Sequence, residues 1–222
     1  MKKIHKIIAA VIAAVAAAIP YFYWENNSLT VSSYTYETPK AGKEFDGFKV
    51  VHISDLHNKR FGKKNSRLIK LIREQSPDII VISGDIADSR HTDIGAAVEF
   101  VSEASGVAPV YYTTGNHECR FSSEKLDRLI SGIQTAGGFV LSDETAVIDC
   151  NGEKLYITGL ADSSLHSDIL DDIMPQATES ISLLISHQPQ YIDLYTQSGA
   201  DIPFCGHAHG GRADFQRRRQ RL

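Results

Sequence analysis

Cysteine is scarce in this chain, and its positive and negative charges nearly balance. Its 222 residues carry three cysteines, Cys119, Cys150 and Cys205, widely spaced and without a C-x-x-C pair. That rules out a disulfide scaffold and argues against a thiolate zinc site. Each cysteine reads as a small buried hydrophobe, with one disulfide left open if the domain lies outside the cytoplasm. The net charge of −4 gives no case for nucleic-acid binding. There are no internal repeats and no low-complexity linker after Lys43. What remains is 42% hydrophobic and 23% charged, which suits one globular domain with an appendage.

The appendage is N-terminal. Lys2, Lys3 and Lys6 precede an uncharged stretch over 7–24 that ends in Tyr21-Phe22-Tyr23-Trp24. As a helix it would be about 27 Å long at ~1.5 Å per residue, close to a bilayer core, with aromatic residues at the interface. Lysines on one side and Glu25 on the other predict a single-pass anchor in the cell membrane, with the bilayer as partner and the rest extracytoplasmic. The alternative is a signal peptide cleaved near the small residues 14–18, leaving a secreted protein. A buried core helix fits worse, because nothing polar alternates with the apolar residues. The chain therefore divides into 1–25, an anchor or signal segment; 26–44, a juxtamembrane stretch; 45–211, the main domain; and 212–222, a basic tail.

Within the juxtamembrane stretch, Leu29, Val31, Tyr34 and Tyr36 suggest strand character over 29–37, broken by Pro39 and Gly42. Strands are predicted at 48–54, 78–83 and 109–114, apolar on both faces as in a parallel sheet. Between them, helical spacing links Leu68, Leu71 and Ile72, then Ile94, Ala97, Val98 and Val101. A third helix carries Leu126, Leu129, Ile130 and Ile133 and closes at Gly137-Gly138. Alternating β and α over the first 140 residues argues for a mostly parallel sheet covered by helices. Then 146–150 and 154–158 flank Asn151-Gly152, a type I′ hairpin signal. Strands follow at 181–186 and 202–205, with a helix around 191–197 between them.

Five of these apolar runs end in metal-type ligands: Asp55-Leu56-His57, Gly84-Asp85, Gly115-Asn116-His117-Glu118, His187, and Gly206-His207-Ala208-His209. Asp55 and His57 sit at i and i+2, which on an extended strand places both on one side. Asp85 follows a glycine that permits a sharp turn, and its two oxygens could bridge two cations. Asn116 offers a neutral oxygen. Glycines around His207 and His209 let the backbone approach closely. Such a set suggests one site built at the ends of neighbouring strands.

The ordered blocks D-L-H, G-D, G-N-H-E, His187 and G-H-A-H across 48–210 resemble the calcineurin-like metallophosphoesterase family. D-L-H-N-K-R-F-G with a single N-terminal membrane segment is most similar to its exported branch, which includes bacterial phosphodiesterases and lipid-linked UDP-sugar pyrophosphate hydrolases. The resemblance implies an α/β fold of two facing mixed β-sheets flanked by helices, an α/β/β/α sandwich. It implies that Asp55, His57, Asp85 and His209 hold one divalent metal. Asp85, Asn116, His187 and His207 would hold a second, with Asp85 bridging. His117 would be catalytic, contacting the phosphate or protonating the leaving oxygen.

The implied activity is dimetal-dependent hydrolysis of a phosphodiester or phosphomonoester by a metal-bridging hydroxide. The alternatives are a lipid-linked UDP-sugar pyrophosphate hydrolase and a non-catalytic metal-binding ectodomain. Two divalent ions against Asp55 and Asp85 leave a positive site that favours a phosphate anion. Mixed His, Asp and Asn ligation suits Mn, Fe or Zn. The family usually continues past G-H-x-H-G-G, often with Gln, where this chain has Arg212 and an arginine-rich tail. The expectation is a C-terminal truncation or frameshift that spares the ligands, against a simple solvated tail. Lys59, Arg60, Lys63 and Lys64 read as a solvated face or an anion-attracting run. Glu118 reads as a support for His117 or a polar loop contact, and Asp88 and Ser89 as turn caps.

Overall fold

The computed structural model describes residues 2–164, 167–175 and 179–208. His209, His166 and the tail over 212–222 lie outside them, as does the expectation of an altered C-terminus. The chain separates into two units, one ending at Tyr36 and the other beginning at Glu37.

The first unit is dominated by α1, Lys2–Asn27. Its apolar side chains, from Ile4 to Trp24, are exposed. Lys3–Asn27 has a mean hydropathy of 2.0 over its most apolar part and is long and apolar enough to cross a membrane. The helix runs through Pro20, and at its end Asn27 Nδ2 donates to the Tyr23 carbonyl. Residues 29–37 form no strand, contrary to expectation. Alternation supplies two faces, but a strand also needs a neighbouring edge, and no ladder partner is present among the described residues.

The second unit holds two four-stranded sheets. The first has β1 Val50–Ile53, β2 Ile79–Ser83, β3 Val110–Thr113 and β4 Gly138–Val140, in that order and all parallel. Parallel neighbours need crossovers, and α2 Ser66–Gln75, α3 Ile94–Ser105 and α4 Ser123–Thr135 supply them. β4 was not anticipated: Gly137-Gly138 reads as a helix stop, yet Gly138 itself begins a three-residue strand.

The second sheet has β5 Glu144–Cys150, β6 Glu153–Leu160, β7 Ile181–Ser186 and β8 Ile202–Cys205. β5 and β6 are antiparallel across Asn151 (φ 55°) and Gly152 (φ 90°), the two positive φ values that a type I′ turn requires. β6, β7 and β8 are parallel. α5 Ser167–Ile173, absent from the sequence reading, and α6 Ile192–Gln197 complete the unit.

Strand alternation divides the core. Ile79, Val81 and Tyr111 of the first sheet pack with Leu155, Ile157, Leu183 and Ile185 of the second. The intervening Ile80 and Ile82 are fully buried on the opposite face. On the outer side of the second sheet, Leu160 and Leu184 meet Leu170 of α5 and Tyr195 of α6. This is the expected layered sandwich. Its consequence for function lies in register. Ile53 is level with Ile82, Ser83 with Thr113, and Ser186 with Cys205. The turns after β1, β2 and β3, and those after β7 and β8, therefore leave the carboxyl ends of their strands side by side.

Candidate metal centre

The turn after β1 does not continue the strand. β1 ends at Ile53, and Asp55 (φ 56°), His57 (φ 45°) and Asn58 (φ 63°) are all left-handed. The i, i+2 argument from an extended strand is thus corrected. The Asp55 and His57 side chains converge, with Nε2 3.8 Å from Oδ1, because the chain coils there. The coil is held by the next turn: the N–H groups of Asp55, His57 and Asn58 donate to the carbonyls of Gly84, Asp85 and Ile86. Non-glycine residues at positive φ cost energy and persist where the surroundings over-determine them.

Gly84 (φ 85°) turns the chain after β2 and presents Asp85, which is buried and left-handed. A side chain at Gly84 would stand 2.5 Å from the Gly115 Cα, so the β2 and β3 turns touch backbone to backbone. Asp85 Oδ1 accepts the His117 N–H at 2.8 Å. Its Oδ2 stands 3.1 Å from His187 Nε2 and 3.8 Å from His57 Nε2. One oxygen is committed to the backbone, and the other lies between two imidazoles.

His187 is fully buried. Its Nδ1 bonds the Ser83 carbonyl at 2.8 Å, so Nδ1 carries the proton and Nε2 faces Asn116 Oδ1 at 3.0 Å. His207 Nδ1 reaches the same Asn116 oxygen at 2.9 Å and lies 3.3 Å from His187 Nε2. The His207 N–H also touches both Asp55 oxygens, at 3.1 and 3.2 Å. Gly206 allows this approach, because a methyl group there would collide with Ser54 Oγ and His187 Nδ1.

Six of the seven expected ligands, Asp55, His57, Asp85, Asn116, His187 and His207, are therefore gathered in one place. His209 lies outside the described residues. Donor atoms of Asp55, Asp85 and His187 all fall within 4.8 Å of one another, as do those of His57, Asp85 and His117. Carboxylate, imidazole and amide oxygen converging at this distance are a donor set that could hold a divalent metal.

The electrostatics follow from these distances. Burial disfavours the His187 imidazolium, but the hydrogen bond and charge of Asp85 prevail and push its pKa to about 9. Burial likewise works against the Asp85 carboxylate, and the His187 bond with the His117 N–H outweighs it and holds the pKa below the ordinary value.

Two neighbours of the site carry more than the sequence reading allowed them. Glu118 does not support His117. Fully buried, it accepts the N–H of Asp85 at 2.8 Å and of Gly115 at 2.9 Å through Oε2, and of Ala87 at 3.0 Å through Oε1. It thus joins the β2 and β3 turns. Burial raises its pKa to about 7, against the pull of the N–H groups. Asp88 caps a turn, its Oδ1 accepting from Arg90 and His91, but its Oδ2 also stands 3.5 Å from His117 Nδ1. A carboxylate three residues beyond Asp85 was the signal available in the sequence. Two members of the basic run are paired: Arg60 with Asp93 and Glu99, and Lys64 with Glu103. The three cysteines are free and half-buried.

Residues 48–211 match the sequence profile of the calcineurin-like phosphoesterase family. The chain is 28% identical to an uncharacterised metallophosphoesterase of Campylobacter jejuni, over 84% of its own length and 50% of that protein. It is 28% identical to the phosphodiesterase YaeI of Escherichia coli, over 74% of its length and 62% of that protein. To the UDP-2,3-diacylglucosamine pyrophosphatase LpxG of Chlamydia muridarum it is 26% identical, over 84% of its length and 56% of that protein. The chain thus spans about half to three fifths of these relatives. Among solved structures, the phosphopantetheinyl hydrolase of Mycobacterium tuberculosis shares the fold, with a TM-score of 0.50 at 15% identity, covering 74% of this chain and 84% of that one.

Proposed function

The chain belongs to the calcineurin-like phosphoesterase family, and on that premise we propose that it hydrolyses phosphoester bonds at a pair of divalent cations. Asp55, His57, Asp85 and His209 would hold the first ion in this reading, and Asp85, Asn116, His187 and His207 would hold the second. The observation that carries it is the placement of Asp85 Oδ2 between His57 Nε2 and His187 Nε2. A carboxylate so placed could be shared by two ions.

When bound, such a pair of Mn, Fe or Zn ions supplies charge to clamp a phosphoryl group and activate a water. The protein's own part is orientation and proton handling. Ser83 fixes which nitrogen of His187 faces the site. His117 lies with its ring 4.5 Å from that of His57, beside the same donors, and serves as the acid for the departing oxygen. General acid catalysis of this kind contributes about 10²–10⁴-fold. α1 acts as a single-pass anchor with the catalytic unit outside; cleavage of the segment and secretion is the other form of the same reading.

The test is hydrolysis of bis-p-nitrophenyl phosphate by the Mn²⁺-loaded protein, with Asp85→Asn as comparison. Turnover lost by at least about 100-fold in Asp85→Asn is expected. Metal binding without any turnover would instead leave a metal-binding ectodomain. A second reading, hydrolysis of a lipid-linked nucleotide pyrophosphate, is favoured by the exposed apolar α1 and by the LpxG relative. It predicts that a diacylated UDP-sugar is cleaved faster than the chromogenic diester.

A further inference from the structure

The ladder that carries β7 to the metal centre stops one residue short of its ligand. Ser186 is level with Leu160 on one side and with Cys205 on the other, and His187 follows it. Leu184 packs outward against α5 and α6, and Ile185 packs inward between the sheets. Ser186 and His187 continue that alternation. Ser186 Oγ meets Tyr195 on the outer face, while His187 reaches Ser83 and Asn116 on the inner one.

Tyr195 of α6 is fully buried. Its hydroxyl donates to the Gln188 carbonyl at 2.8 Å and lies 2.8 Å from Ser186 Oγ. A phenol has one proton, and here the carbonyl takes it. Ser186 therefore donates to the phenolic oxygen, and the three groups form a chain from Ser186 through Tyr195 to Gln188. The ends of this chain are the two neighbours of His187. The ring of His187 is held from the other side, by Nδ1 on the Ser83 carbonyl. Gln188 has a second tie, from Nε2 to Asp162 Oδ1 at 2.6 Å, but that tie holds its side chain and not the main chain.

We infer that Tyr195 is a positioning residue for the metal centre: from the outer face of the sheet its hydroxyl clamps the main chain on both sides of His187 and keeps Nε2 aimed at Asn116 and Asp85. The inference rests on the dimetal reading for its effect on an ion and on geometry alone for the clamp. Packing asks only for the ring, because the surrounding Leu160, Leu170 and Leu184 offer apolar contact that a phenylalanine would fill as well. The hydroxyl answers only to the two groups that flank the ligand.

Tyr195→Phe tests it, since the change removes the hydroxyl and keeps the ring. In Mn²⁺ titrations of the full chain, one ion should bind about 10–100-fold more weakly, the range for residues that orient a ligand, and the other as in the wild type. Turnover of bis-p-nitrophenyl phosphate should fall at limiting Mn²⁺ and recover at saturation, which marks a defect of occupancy and not of chemistry. Leu170→Val removes packing from the same cluster and leaves the hydroxyl chain in place. It should lower Tm with both metal affinities unchanged. Chelator-treated protein gives a readout without metal: hydrogen exchange over 186–189 should quicken in Tyr195→Phe, with the first sheet unaffected. If Tyr195→Phe does not fold, Ser186→Ala keeps the phenol and removes its donor. It should weaken one ion in smaller measure, and wild-type affinity there would overturn the inference. Equal weakening of both ions, a lowered Tm with unchanged affinities, the same affinity loss in Leu170→Val, or unchanged exchange over 186–189 would also overturn it. A wild type that binds one ion or none would count against the dimetal reading and leave the exchange result to decide the clamp.

Discussion

Oδ2 of Asp85 stands 3.1 Å from Nε2 of His187, inside the protein and between the ends of two different sheets. The contact couples a carboxylate held below its usual pKa to an imidazole raised to about 9. His187 can give its Nε2 lone pair to a metal only after losing that proton.

Metal affinity should therefore rise with pH between about 6.5 and 9, by up to tenfold per unit, and level off above. Calorimetry in buffers of different ionisation enthalpy at pH 7 should count about one proton released per protein. Stability of the chelator-treated protein should follow the opposite course. A raised folded pKa contributes stability that is complete below about 6.5 and lost as pH rises through about 9, so its Tm should fall across that window. Proton release unchanged in Asp85→Asn would contradict this account.

Glu118→Gln replaces an acceptor of three backbone N–H groups by a group with one acceptor oxygen and an NH₂. At least one N–H then faces another donor, at a cost of about 1–3 kcal/mol. Because the β2 and β3 turns carry Asp85 and Asn116, metal affinity should drop about 10–100-fold as well. Thermal melts and metal titrations measure the two effects separately. A melting loss with unchanged affinity would show that Glu118 serves the fold alone.

Gly206→Ala places a methyl group against Ser54 Oγ and His187 Nδ1. His187 cannot yield without breaking its bond to the Ser83 carbonyl. The expected result is at least about tenfold weaker metal binding with a far-UV spectrum like that of the wild type. Binding as tight as the wild type would mean that the β8 turn moves aside.

Removing 2–27 deletes the exposed apolar surface of α1. The shortened chain should remain in the supernatant of a detergent-free lysate, while the full chain sediments with membranes. A full chain recovered in the culture medium with a new N-terminus would support cleavage instead.

Much of the architecture could be read directly from residues. Apolar runs marked β1, β2, β3, β7 and β8, and Asn151-Gly152 marked the hairpin, because each is a local property. β4 and α5 escaped notice for a related reason. Gly138-Phe139-Val140 is too short to show a period, and it becomes a strand only because β3 offers it an edge. The stretch over 29–37 is the converse, with suitable alternation but no ladder partner among the described residues.

The site divides in the same way. The sequence by itself determined the donor atoms, their order and the glycines that let them turn, since these depend on residue type and near neighbours. Only the tertiary structure decided which donors meet. His187 reaches Asn116 across 71 positions and His207 reaches it across 91, because two sheets pack face to face with their strand ends level. It also decided that Asp55 and His57 converge through left-handed backbone and that Glu118 accepts backbone N–H groups from the β2 and β3 turns. Those outcomes rest on register and on the summed packing of many apolar side chains, each weak and none visible as a motif.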